Sequence, residues 1–129
     1  MKNNKIKYNL KIDKKLGVKQ FKKISTKTMT DVCQIIGVFL DNAIEEVKNI
    51  NDGSIMINMY LTEEINIEII NSIGKYFDVN KIDKTGYTTK EGVHGYGLTL
   101  VNRILKDNKL LKNEREINEK TFKQKLIIK

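Results

Sequence analysis

Apolar residues recur along this chain with two different periods, and the places where the period changes divide it into elements. Positions 5 to 12, KIKYNLKI, alternate, with Ile6, Tyr8, Leu10 and Ile12 on one face and lysines or Asn9 on the other. That alternation predicts a half-buried strand, placed at a sheet edge where its lysines discourage unwanted pairing. The polar stretch from Asp13 to Lys27 predicts a turn and a short strand around Phe21 to Ile24. The period then lengthens. Val32, Ile35, Ile36, Phe39, Leu40, Ala43, Ile44 and Val47 follow the i, i+3, i+4, i+7 spacing of one helical face, so an amphipathic helix is expected as far as about Ile50. Thr28 and Thr30 are its candidate N-caps, Asp31 suits the first turn, and Asn51-Asp52-Gly53 ends it.

Alternation returns in SIMINMYLT (54 to 62) and INIEIIN (65 to 71), two strands joined by the polar turn Glu63-Glu64. Their inward sets are Ile55, Ile57, Met59 and Leu61, then Ile65, Ile67 and Ile69, and the same alternation turns Asn71 inward. A polar side chain at the end of a buried stripe needs a hydrogen-bond partner. Ser72 to His94 has no periodic element, and with Gly95 and Gly97 this region carries five of the eight glycines. Its length and composition read as a mobile lid. A second helix is expected from about Gly97 to Lys106, then a closing hairpin, Leu110 to Ile117 and Thr121 to Ile128. This order predicts an α+β fold, a two-layer α/β sandwich with helices on one face of a mixed, mostly antiparallel sheet.

Composition narrows the function classes. A chain of 129 residues suits one domain, taken here as 1–129, and is long enough to bury a core. Its single cysteine, Cys33, excludes a disulfide framework, and its single histidine, His94, argues against a Cys/His zinc site. No apolar run reaches the length of a membrane span, and the chain reads as cytoplasmic. The net charge of +8 suits a polyanion, but the lysines are read as dispersed through both ends and the turns, as solvating charge, so no nucleic-acid partner is expected.

The candidate chemistry lies where the expected lid meets the second helix. Gly95 and Gly97 allow a ligand to come close to the main chain, and a helix starting there directs unpaired N–H groups and its positive dipole end at an anion, phosphate above all. HGYGLT lacks the third glycine of a dinucleotide loop, and no G-K-[ST] triplet follows as in a P-loop.

Three stretches, IIGVFLDNAIEE at 35 to 46, IIN at 69 to 71 and GYTTKEGVHGYGLTLV at 86 to 101, together resemble the ATP-binding catalytic domain of sensor histidine kinases. That domain has the GHKL or Bergerat fold, shared with gyrase B and MutL. The resemblance covers about Lys5 to Ile128 and is nearest to the AgrC-type kinases that receive quorum-sensing peptides. It implies ATP and Mg2+ as cofactors, with Asn42 as metal ligand. Mg2+ takes oxygen ligands and keeps several waters while bridging phosphates; for an isolated helix asparagine, a polar or solvent-facing role is the ordinary alternative. Asn71 falls where most of the family has an aspartate that accepts a hydrogen bond from the adenine amino group, and its carbonyl can accept the same bond. Ile69 and Ile73 either line the adenine slot or pack in the core.

By the same resemblance the amides of Gly95, Gly97 and Leu98 hold phosphates, while Thr88, Thr89 and Lys90 match a lid stretch in which Lys90 can neutralise phosphate or remain solvated. His94 stands where relatives often have arginine. Two departures matter. Val38 stands four residues before Asn42, where relatives carry glutamate or asparagine, which implies poor ATP hydrolysis. N-S-I-G-K replaces the usual D-x-G-x-G, with Ile73 and Lys75 at glycine positions. The family transfers the γ-phosphoryl group to a histidine on a separate dimerisation domain and from there to a response regulator. The chain is therefore expected to be an isolated, monomeric catalytic module of a membrane-bound receptor, on its cytoplasmic side. The alternative is a non-catalytic nucleotide-sensing or interaction module on the same fold.

Overall fold

The computed structural model describes residues 6–74 and 93–129, with 93–96 described as backbone only. The elements are β1 (Lys7–Ile12), α1 (Val18–Phe21), α2 (Thr26–Val47), β2 (Ser54–Leu61), β3 (Ile65–Ser72), α3 (Val93–Asp107), β4 (Leu111–Ile117) and β5 (Thr121–Ile128). The sheet runs β1-β2-β3-β5-β4, parallel between β1 and β2 and antiparallel elsewhere. A parallel pair needs a long crossover, and α2 supplies most of it.

The core lies between the sheet and the two long helices. Phe39, Ile35 and Val47 of α2, Val101 of α3, Ile55 of β2, Ile69 of β3 and Leu126 of β5 are fully buried there. The helix from 28 to 50 is shifted toward the N-terminus. Ser25 is the cap, its Oγ accepting from the Thr28 amide at 3.1 Å, and Val47 is the last helical residue. Asp52, at φ 60°, begins the reversal after it. Gly53 follows so closely that an added Cβ would lie 2.8 Å from the Val47 carbonyl oxygen. No larger residue fits that turn.

Two expectations are corrected near the start of the chain. Residues 18–21 form a helical turn rather than a strand. β1 is present, but all six of its residues are exposed, with Tyr8 at 65 %, Leu10 at 59 % and Ile12 at 53 %. α2 packs on β3 and α3 and only lightly on β2, so β1 extends beyond the helical layer.

Asp31 also has a different role from the one expected. It lies in the second turn of α2, buried, where its carboxylate accepts from Lys27 Nζ at 2.8 Å and from Asn108 Nδ2 at 2.8 Å. The Asn108 amide group also donates to Thr28 Oγ1, and its carbonyl oxygen accepts from the Leu110 backbone, which fastens the end of α3 to the start of α2. Hydrogen bonds from Lys27 and Asn108 hold the Asp31 pKa below the ordinary carboxylate value. The unfolded chain therefore takes up this proton at a higher pH than the folded one, so the stabilisation is complete above about pH 4 and is lost as pH falls through the folded-state value. Asn108→Ala is expected to lower unfolding free energy by about 1–3 kcal/mol in a denaturant titration, and Asp31→Asn to flatten the acid side of the stability profile.

Candidate functional site

Asn71 is the next-to-last residue of β3, paired with Ile55 on one side and Phe122 on the other. It is buried on the helix-facing side, in the same alternation as Ile67 and Ile69. Its Nδ2 donates to the Ser72 carbonyl at 2.9 Å. That bond uses one of the two amide N–H donors and leaves Oδ1 on the other side of the amide. Oδ1 has no hydrogen bond among the described residues, and it is not sealed off, because no fully enclosed side-chain oxygen there lacks a partner. The strand end is itself clamped: the Ser54 amide donates to Ser72 Oγ at 2.9 Å, and the Ile73 amide to the Lys120 carbonyl at 3.0 Å.

Beyond Asn71, Ile73 leaves the main core and joins a second apolar cluster with Leu98 of α3 and Phe122 of β5, flanked by Ile117 of β4. Ile69, by contrast, is 1 % exposed and belongs to the main core. The pair left open between the slot and the core thus divides: Ile69 packs inside, while Ile73 joins the end of β3 to the first half of α3.

α3 begins at Val93, four residues before the expected start, so Gly95 and Gly97 lie inside the helix. Gly97 therefore does not begin the helix as expected. A Cβ at Gly97 would meet Val38 Cγ1 at 3.1 Å. Glycine here permits close approach of α3 to α2, and the contact falls one turn before the half-buried Asn42. Asn42 also makes an interaction within the protein.

The described part of the site therefore brings together three pieces: an acceptor oxygen at the end of β3, the Ile73–Leu98 cluster, and the Val38–Gly97 contact beside Asn42. Thr88, Thr89 and Lys90 lie outside the described residues, as does the side chain of His94. Among the described residues no group of three or more His, Cys, Asp or Glu could hold a metal ion unaided. A single oxygen ligand such as Asn42, completed by phosphate and water, fits the coordination habit of Mg2+. The Val38–Gly97 contact was not legible in the sequence, since no local period reports which residue of another helix a glycine faces.

Residues 27–129 match the model of the GHKL domain family, and the chain belongs to that family. Its fold is that of histidine-kinase catalytic domains. The nucleotide-free catalytic domain of histidine kinase ThkA superposes with a TM-score of 0.71 at 21 % identity, over 95 % of this chain and 78 % of that one. Full-length ShkA in complex with AMPPNP gives 0.70 at 11 % identity, over 95 % of this chain and 25 % of that one. ThkA in complex with the response regulator TrrA gives 0.67 at 19 % identity, over 95 % of this chain and 34 % of that one. No curated protein matches the chain in sequence. No described helix is long and apolar enough to cross a membrane.

Proposed function

We propose that this domain binds Mg-ATP and acts as the catalytic domain of a sensor histidine kinase, donating the γ-phosphoryl group to a histidine on a separate dimerisation domain. The observation that carries the reading is Asn71: its donor is used by Ser72 and its acceptor left for an adenine amino group, beside the Ile73–Leu98 cluster. Asn42 would hold Mg2+, with ATP spanning the space between the two asparagines and the phosphates directed to the start of α3, where Gly95, Gly97 and Leu98 lie. Bound Mg2+ would neutralise the phosphate oxygens. In the transfer the histidine nitrogen bonds to phosphorus, the bridging P–O bond breaks, and ADP leaves.

The side chains of Thr89 and Lys90 in the expected lid, and of His94 in the first turn of α3, complete the reading. A membrane-bound parent of the AgrC type, signalling to a response regulator from the cytoplasmic side, and a monomeric state for the domain itself belong to the same proposal. Its support beyond the fold is the sequence at 35 to 46, 69 to 71 and 86 to 101.

Removal of the acceptor tests the adenine assignment. Asn71→Ala is expected to weaken ATP binding by about 5- to 30-fold, the equivalent of about 1–2 kcal/mol, with little change for GTP. Equal loss for both nucleotides would make Asn71 a structural residue. Transfer itself is tested with labelled ATP and a supplied histidine-bearing dimerisation domain, where acid-labile label on that histidine is expected. Val38, which offers neither a metal ligand nor a base, favours a second reading, nucleotide sensing without transfer. ATP binding with no label on the histidine would establish it.

A further inference from the structure

The excess positive charge of the chain is concentrated at its start. Residues 1–30 contain ten lysines and one acidic residue, whereas the other 99 contain 14 basic and 15 acidic ones. Residues 106–129 carry eight basic and four acidic residues, so the charge gathers at both ends, as expected, but most densely at the start. Among the described residues, Lys7, Lys11, Lys14, Lys15, Lys19, Lys22 and Lys23 form no ion pair. The open face of the sheet is different: Lys123 lies 2.9 Å from Glu116 and 3.7 Å from Glu68, and Lys125 lies 3.9 Å from Glu114 and over the Tyr60 ring. Strands β3, β4 and β5 satisfy their own charges on that face, and its β1 end, where Lys7 and Lys11 lie, does not.

Among the described residues, the same segment holds four of the six exposed large apolar side chains, Tyr8, Leu10, Ile12 and Val18. The first three line the helix-side face of β1, and Lys7 and Lys11 line its opposite face around Asn9. The backbone supplies a third feature. The Lys7 amide donates to the Gly53 carbonyl at 2.9 Å and the Asp13 amide to the Met59 carbonyl at 2.8 Å, so odd-numbered residues direct their peptide groups into β2. By the strand period, the N–H and C=O groups of Tyr8, Leu10 and Ile12 point outward from the last strand of the sheet.

We propose that the free edge of β1 docks an extended segment of a partner protein in which acidic and apolar residues alternate, added to the sheet as a further strand. An incoming strand satisfies all three features together: backbone pairing along the edge, apolar side chains beside Tyr8, Leu10 and Ile12, and carboxylates beside Lys7 and Lys11. A helix would leave the edge unpaired. An anionic lipid surface would do the same, and could not meet the lysines and the apolar row on opposite faces of one strand. A second copy of β1 would set Lys7 and Lys11 against lysines.

Fluorescence anisotropy of a labelled peptide of about eight residues alternating Glu and Val, titrated with the 129-residue chain, tests this. Saturable binding is expected. Lys7→Glu together with Lys11→Glu should weaken it about tenfold while leaving the far-UV circular dichroism unchanged. Leu10→Pro, which removes an outward N–H and none of the β2 ladder, should abolish it. The proposal is overturned by absence of saturable binding or by undiminished binding to either variant. Equal binding of a peptide with the same residues in a Glu block and a Val block also overturns it, as does displacement of the peptide by phosphatidylserine vesicles or by DNA.

Discussion

Asn42→Ala is expected to remove the Mg2+-dependent part of ATP binding, lowering affinity in the presence of the metal by about 10- to 100-fold, while affinity in its absence changes little. Asn42 lies in the last third of α2, half-buried, beside Ala43 and Val47, which anchor that face in the core. A truncation there leaves the apolar stripe of α2 intact, so the thermal midpoint should hold. Isothermal titration with and without Mg2+ separates the two affinities. An unchanged metal dependence would remove the ligand assignment and leave Asn42 as a polar helix residue.

Gly97→Ala is the second large effect, and it should divide stability from function. In a helix interior, alanine is favoured over glycine by about 1 kcal/mol. Against this gain stands a Cβ that would lie 3.1 Å from Val38 Cγ1. Valine within a helix is held mainly in one rotamer, so α3 gives way rather than Val38. Unfolding free energy should change by less than about 1 kcal/mol, while ATP affinity falls about tenfold because the end of α3 proposed to meet the phosphates has moved. Adding Val38→Ala should restore much of the affinity. A double-mutant cycle with no coupling would show that the glycine acts otherwise than by close approach.

These effects trace back to how different parts of the chain could be read. β2, β3 and β5 were legible because apolar residues alternate along each in the sequence, and a slip of one residue would reverse the apolar face, although β3 also buries Asn66 and Glu68 on its other face. Asn71 was legible for the same reason. The exposure of β1 was not, because alternation shows which face is apolar and not whether anything covers it. The start of α3 was hidden by Gly95 and Gly97, which read as loop; in the folded chain, packing of α3 against Val38 and of Leu98 against Ile73 outweighs their low helix propensity. The first turns of α2 carry Thr28 and Thr30, both read as caps, and the Ser25 hydroxyl on the Thr28 amide places the cap ahead of them.

The central claim is that Asn71 and Asn42 mark the two ends of one bound Mg-ATP. Calorimetric titration of the chain with ATP, its non-hydrolysable analogue and GTP, each with and without Mg2+, tests it most directly. Saturable binding that selects adenine over guanine and is strengthened by Mg2+ is the predicted result. A folded chain that binds neither nucleotide, or binds both alike whether or not Mg2+ is present, would contradict it.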